Sequence, residues 1–317
     1  MRERLKAVGL ADLVAGTTIA ALLVSLAATT TGRSRELSKR MVCSMNLKSI
    51  GASAKIYAVA HNGKWMTPAF KRAEIDVNGI DYLNDTEYVH ASQYYPGGVG
   101  YDRRYESTSE VAAYPYAGSV SVPTTRAFWM LVRSGDAHVK QYICPSSTDK
   151  VDGTEEIDLY YDFEGYENIS YGYQVPFGPR LVQPHEGADP GRVNAADKGP
   201  FYARLDHVSW EVEGRPLEVE STPGAWRRFN SPNHGTMRDG EGQNCLYADG
   251  AVRFHRKPVV GVDHDNIYTL MLDDWDGERG RIYGEIPQLY PVPPYPGQDA
   301  FGVGPGNYSS TDSLIYP

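Results

Sequence analysis

Residues Leu10 to Thr31 make up 22 consecutive positions whose only charge is Asp12, and this run constrains the chain more than any other stretch. At roughly 1.5 Å per residue, a helix of that length reaches about 33 Å, close to the thickness of a bilayer's hydrocarbon core. A carboxylate in hydrocarbon costs roughly 2.5 kcal/mol or more, so Asp12 needs a reason to be there. Met1 to Lys6 sets Arg2, Arg4 and Lys6 against Glu3. By the positive-inside rule such a leader stays in the cytoplasm and everything after Thr31 is exported. On length and charge alone two readings fit, a secretory signal peptide cut within "SLAATTTG" and a plain signal anchor; a third rests on motifs further along the chain.

Arg33 to His61 continues without a proline and places Leu37, Met41, Leu47, Ile50, Ala54 and Tyr57 at steps of three, four and six. That spacing makes a helical stripe running on from the apolar run. Asn62-Gly63 then supplies a stop, because glycine takes the left-handed conformation that closes helices. The pattern predicts one helix over Val8–His61, about 80 Å long if continuous, half in the membrane and half a spine for the domain beyond. Gly16, Gly32 and Thr29 to Thr31 are weak helix formers and predict a bend near Thr31.

The remainder of the 317 residues is polar and rich in Tyr (23), Gly (32) and Pro (21), as expected of a loop-rich extracytoplasmic domain. A net charge of −9 argues against nucleic-acid binding, which rests on Lys and Arg releasing phosphate counterions. The three cysteines, Cys43, Cys144 and Cys245, show no CxxC spacing, so neither a zinc ribbon nor a thioredoxin-like site is indicated.

Within that domain, "QNCLYADGAVRFHR" alternates around Asp249-Gly250, a signal for a tight hairpin with both turn residues at positive φ. Asn244, Leu246, Val252 and Phe254 are its inward or paired positions, and Cys245 is a small buried residue. "AFWMLVRSG" reads as a short helix, and Cys144 as the end of a strand after it. Cys43 lies about 18 Å past Thr31 along the helix, outside the membrane. An exported compartment permits a Cys43–Cys144 disulfide clamping spine to sheet; two buried thiols are the alternative. His234 lacks any GxSxG or HExxH context and reads as a loop-bonding histidine, with no enzyme constellation around it. Asp274, Asp276 and Glu278 have the alternation of a calcium loop without EF-hand spacing, and a solvated acidic loop is the simpler reading of them. "NIS" at Asn168 is formally a glycosylation sequon, and Tyr290 to Ser310 is too rich in Pro and Gly for regular structure.

Several segments together resemble one family, the type IV pilin and type II secretion pseudopilin-like proteins abundant in planctomycete-type bacteria. "KAVGLADLVAG" resembles its cleavage motif, with Ala7, Val8 and Asp12 standing for Gly, Phe and Glu. "RMVCSMNLKSIGASAKIYAVAHNGKW" is similar to its Cys, Asn-Leu, Ile-Gly and Tyr signature, "YICPSS" to its Cys-Pro-Ser segment, and "NSPNHGTMRDGEGQNCLYADGAVRFHR" to its histidine-then-Asp-Gly hairpin. "VGVDHDNIYTL" and "DSLIYP" resemble its C-terminal end.

The resemblance implies a prepilin peptidase cut after Ala7 and N-methylation at Val8. Asp12, the fifth mature residue, would then neutralise the new α-amino group of a neighbouring subunit. It also implies partners: other copies or pilin-like subunits, the peptidase and an inner-membrane assembly platform. Calcium is a cofactor met in the resembled family. The expected fold is α+β, a long N-terminal helix packed on an antiparallel sheet with long insertions. The expected divisions are a leader 1–7, a membrane half 8–31, a spine half 32–61, a globular domain 62–290 and a tail 291–317. The function expected is a structural subunit of a pilus-like or pseudopilus filament, held in the inner membrane before assembly into a periplasmic or extracellular filament. The rival reading is an anchored extracytoplasmic binding protein that never polymerises.

Overall fold

A computed structural model describes residues 9–67, 124–176, 183–200, 226–227, 229–235, 239–269 and 310–316, with short paired segments at 76–77, 80–81, 88–90 and 303–305. The architecture is mixed α+β. Helix α1, Leu10–Ala60, runs unbroken for 51 residues, so no melted turn interrupts it at Thr31 or Gly32. It stops where Asn62 (φ 55) and Gly63 (φ 79) turn left-handed and the Gly63 amide donates back to the Ala58 carbonyl at 2.8 Å.

The two ends of α1 live in different surroundings. Leu10, Leu13, Val14, Ile19, Leu22, Leu23 and Val24 are all more than half exposed, Leu10 to 80%. From Glu36 onward one face is covered: Glu36, Cys43, Leu47, Ile50, Ala54 and Ala58 are buried, with Arg40 partly so. Steps of three, four and seven keep these residues on one helical face. The expected stripe is therefore right for Leu47, Ile50 and Ala54 but wrong for Leu37 and Met41, which are 51% and 68% exposed. Its upper end is instead the polar pair Glu36 and Arg40, one turn apart. Among the described residues no helix is long and apolar enough to cross a membrane. The side chains of 26–30, within the expected span, lie outside the described set.

The sheet that α1 packs on is five-stranded and antiparallel. Strands β4 (Tyr171–Gln174), β5 (Val193–Asp197), β6 (Gln243–Tyr247) and β7 (Val252–His255) form a meander, and β9 (Ile315–Tyr316) closes the β4 edge, giving the order β7-β6-β5-β4-β9. Two outlying pairs, β1 (Asp76–Val77) with β2 (Ile80–Asp81) and β3 (Tyr88–His90) with β8 (Val303–Pro305), are the other strands among the described residues. Strand β8 comes from the stretch Tyr290 to Ser310 expected to lack regular structure: a strand needs only a partner edge, which composition does not reveal.

Strands β4, β5 and β6 are buried on both faces. Ala195 and Leu246 face α1 and the aromatic core, while Val193, Ala196, Cys245 and Tyr247 pack beneath it with Ile267, Tyr268 and Ile315. Gly51 of α1 meets Leu246 so closely that a Cβ there would lie 2.7 Å from Leu246 Cδ1. Glycine at this position lets the spine sit down on β6.

The short helix expected around Trp129 is α2, Arg126–Arg133, which buries Phe128, Trp129, Leu131 and Val132 and is tied down by the Trp129 indole N–H to the Tyr160 carbonyl at 2.8 Å. Cys144 follows a 3₁₀ turn, Val139–Tyr142, and lies in a loop rather than ending a strand. Pro145 suits the second position of the turn closed by Ser147 N–H to Cys144 C=O, 3.0 Å.

The β6–β7 hairpin forms in the expected register, Asn244 opposite Phe254 and Leu246 opposite Val252. Its turn differs from the expectation. Gly250 (φ 85) is at positive φ and Asp249 is not, so the loop of Ala248, Asp249 and Gly250 is the three-residue type with a left-handed glycine. Asp249 Oδ1 accepts from the Ala251 amide at 2.7 Å, which supports its reading as a turn residue. Lys48 and Lys55, seven residues apart on α1, hold the tip through the carbonyls of Gly250 (2.6 Å) and Asp249 (2.8 Å).

Candidate functional site

Four separate elements bring their polar residues to one buried point. The spine supplies Cys43, the Cys-Pro turn Cys144, the end of β5 Asp197, and the loop before β6 His234. One donor atom from each lies within 4.8 Å of every other, and all four side chains are buried.

Each position follows from local structure. Cys43 sits on the buried face of α1, seven residues after Glu36. Asp197 ends a strand whose residues are all buried, so its carboxylate points inward with no route to water. His234 is held by its own loop, whose carbonyl at that residue accepts from the Gly240 and Glu241 amides at 3.1 Å each.

The contacts are specific. The Cys43 thiol faces Asp197 Oδ1 at 3.1 Å, and the Tyr171 hydroxyl donates to Cys43 Sγ at 3.1 Å. Cys144 Sγ lies 3.8 Å from His234 Nε2 and accepts from the Ser146 amide at 3.4 Å. The same Nε2 is 3.2 Å from Asp197 Oδ2 and 3.1 Å from Asn244 Nδ2. On the far side of the ring, His234 Nδ1 donates to Glu36 Oε1 at 2.9 Å.

Glu36 is fixed in turn by the Ser146 hydroxyl (2.9 Å), the Gly235 amide (3.3 Å) and the Arg40 guanidinium (3.6 Å). Arg40 also pairs with Glu241 and stacks on Phe254 with its centre 4.3 Å from the ring. Asp197 accepts from the Asn244 amide (2.6 Å) and from Asn233 Nδ2 (3.1 Å).

Charge follows from these contacts. Burial works against a charged His234, but Asp197 beside it, then Cys144 and Glu36, push the ring up to about 12. Burial likewise opposes the Asp197 carboxylate, yet His234 and the Asn244 amide hold it below its usual range. Glu36 is also lowered against burial, chiefly by His234 and Ser146. The two thiols diverge: burial and the neighbouring Cys144 raise Cys43, while hydrogen bonds from Cys43 and His234 outweigh burial and draw Cys144 down to about 7. A low thiol next to a histidine is also how a nucleophile is activated. With Cys144 only 1% exposed, the arrangement is better suited to holding something small and fixed than to attacking a substrate.

The expected Cys43–Cys144 pair is thus brought together, but as free thiols; no bond joins them here. Cys245 is a free buried thiol on the opposite face of the sheet, as expected of a packing residue. His234, expected to serve only its loop, is the centre of the cluster. Asp12 accepts from the Gly9 amide at 3.1 Å in the first turn of α1, a local role that the apolar run did not suggest. Asn168 is buried at 7% and bonded to the Lys150 carbonyl, which removes it as a glycosylation acceptor in the folded chain. Ala7 and Val8, and the calcium candidates Asp274, Asp276 and Glu278, lie outside the described residues.

Sequence reasoning missed Glu36, Tyr171, Asp197, Asn233 and Asn244. A signal existed for Glu36, because 36, 40 and 43 share a helix face. Asp197 carried only a faint one, an acid closing the apolar run "VNAAD". Compared with known proteins, the chain matches no family model, no curated sequence and no solved structure.

Proposed function

We propose that the chain is a pilin-like structural subunit rather than an enzyme, anchored in the bacterial inner membrane through α1 and incorporated into a pilus-like or pseudopilus filament after removal of its leader. The observation that carries this reading is the division of α1. Seven large apolar residues between Leu10 and Val24 stand exposed around the helix, and one unbroken helix then passes into a domain that covers only its second half. Apolar surface on all sides of a helix is stable only when something apolar surrounds it, either lipid or like helices. A membrane-stored, helix-packed subunit meets both kinds of surroundings in turn.

Asp12 has a place in this reading. Cleavage after Ala7 frees an α-amino group on Val8, four residues before Asp12 in the sequence. In a packed helical core an unpaired charge is expensive, so the carboxylate of one subunit and the amine of the next would pair and set the register. The Gly9 amide bond does not compete, since a carboxylate has acceptor capacity for both.

Mass spectrometry of the mature N-terminus tests the reading. It predicts a chain beginning at methylated Val8, found in the membrane fraction and in sheared filaments. An intact Met1, or a cut near Thr29, refutes it. Asp12→Ala is expected to abolish filament incorporation while leaving the folded domain intact; normal incorporation of that variant refutes the ion-pair role.

A further inference from the structure

We propose that Cys43, Cys144, Asp197 and His234 form a structural zinc site that bolts the spine helix to the sheet, a site independent of whether the chain polymerises. Two thiols, an imidazole and a carboxylate are a donor set that suits zinc among the common divalent ions. The four come from positions 43, 144, 197 and 234, so a shared ion would link α1, the Cys-Pro turn, β5 and the loop before β6.

The geometry approaches that of a closed tetrahedral site. Arms of about 2.3 Å to sulfur and about 2.0 to 2.1 Å to nitrogen or oxygen give tetrahedron edges of about 3.3 to 3.8 Å. Cys144 Sγ lies 3.8 Å from His234 Nε2, and the two oxygens of Asp197 divide between the neighbours, Oδ2 3.2 Å from His234 Nε2 and Oδ1 3.1 Å from Cys43 Sγ; with one donor atom taken from each residue, all four lie within 4.8 Å of one another. Seating the ion would draw the widest pairs together by up to about 1 Å.

The surroundings are those of ligands. The Nδ1–H of His234 is engaged by Glu36, which leaves Nε2 turned toward the sulfurs and Asp197; a carboxylate behind the histidine is the usual orienting partner in zinc sites. Each sulfur accepts a hydrogen bond from outside the set, Cys43 from Tyr171 and Cys144 from the Ser146 amide. Asp197 is held by Asn244 and Asn233. Binding releases the protons on the thiols and on Nε2, and two thiolates, a carboxylate and a neutral imidazole around Zn²⁺ leave a local charge of −1. Because the point is buried, the ion enters as the chain folds, and metal affinity becomes part of folding stability.

The experiment uses the full-length chain purified in detergent without chelator. Elemental analysis is expected to find one zinc per chain, and cobalt exchanged into the site should show the intense visible bands of tetrahedral thiolate ligation. Cys144→Ser and His234→Gln should lose the bound ion. Should those variants fail to fold, Glu36→Gln, which touches no metal, should retain the site but weaken zinc binding about 10- to 100-fold. Cys245→Ala should keep full stoichiometry. Substoichiometric metal in a folded chain supplied with zinc, octahedral cobalt spectra, or a Cys43–Cys144 disulfide in protein isolated from its membrane would each overturn the proposal.

Discussion

The contact between the spine and β6 makes a sharp test of how the helix is seated. Gly51 and Gly32 are both interior residues of α1, but a Cβ at Gly32 meets nothing within 4 Å, whereas one at Gly51 would stand 2.7 and 3.0 Å from the two terminal carbons of Leu246. Glycine to alanine in an open helix gains about 1 kcal/mol, from lower backbone entropy in the unfolded chain. Gly32→Ala should show that gain. At Gly51 the same gain is opposed by a shortfall of about 1 Å from ordinary carbon–carbon contact at about 3.5 to 4.0 Å. Leu246 is 1% exposed and has little room to retreat, and overpacking of this kind costs about 1 to 3 kcal/mol. The net expectation for Gly51→Ala is therefore neutral to about 2 kcal/mol destabilising, which places it about 1 to 3 kcal/mol below Gly32→Ala. Urea unfolding of the full chain in detergent, followed through the buried Trp65, Trp129 and Trp226, measures the difference. Leu246→Val removes both Cδ contacts' reach, so in that background the Gly51→Ala penalty should shrink, and the double-mutant cycle should give a coupling of about 1 kcal/mol. If Gly51→Ala is as stabilising as Gly32→Ala, or the cycle shows no coupling, α1 does not approach β6 as described.

Two further outcomes follow from named contacts. Gly250→Ala forces a Cβ into a left-handed residue and against Lys55 Nζ at 3.0 Å; a loss of about 1 to 2 kcal/mol is expected in the same unfolding assay, whereas Asp249→Asn, which keeps a turn-forming side chain, should stay within about 0.5 kcal/mol. Lys198 and Asp149 form a buried pair at 2.8 Å, with Lys198 also donating to the Ile169 carbonyl. Asp149→Ala strands the buried ammonium and should cost about 3 to 5 kcal/mol, read as a lower urea midpoint, and Lys198→Met in the Asp149→Ala background should recover much of that loss.

Some of this protein could be read from residue order alone because the physics is local. The end of α1 at Asn62-Gly63, the short helix around Trp129 and the register of the β6–β7 hairpin rest on backbone preferences and on periods of 3.6 and 2, which neighbouring residues set among themselves. Leu47, Ile50 and Ala54 were legible as core for the same reason. Leu37 and Met41 were not distinguishable from them, since a stripe says which face is apolar but not how far along the helix a domain reaches to cover it. Tail residues Ile315 and Tyr316 became a strand only because the exposed edge of β4 was there to receive them.

The cluster was the least legible part. Cys43 and Cys144 invited pairing by their chemistry, and Glu36 shared a helix face with Cys43, but nothing near them in sequence pointed to Asp197 or the central place of His234. Residues 36, 43, 144, 197 and 234 belong to four segments whose meeting depends on how the sheet is ordered and how α1 lies on it. Periodicity carries no information about that arrangement; only the tertiary packing brings these side chains together, and it does so by burying polar groups that must satisfy one another once water is gone.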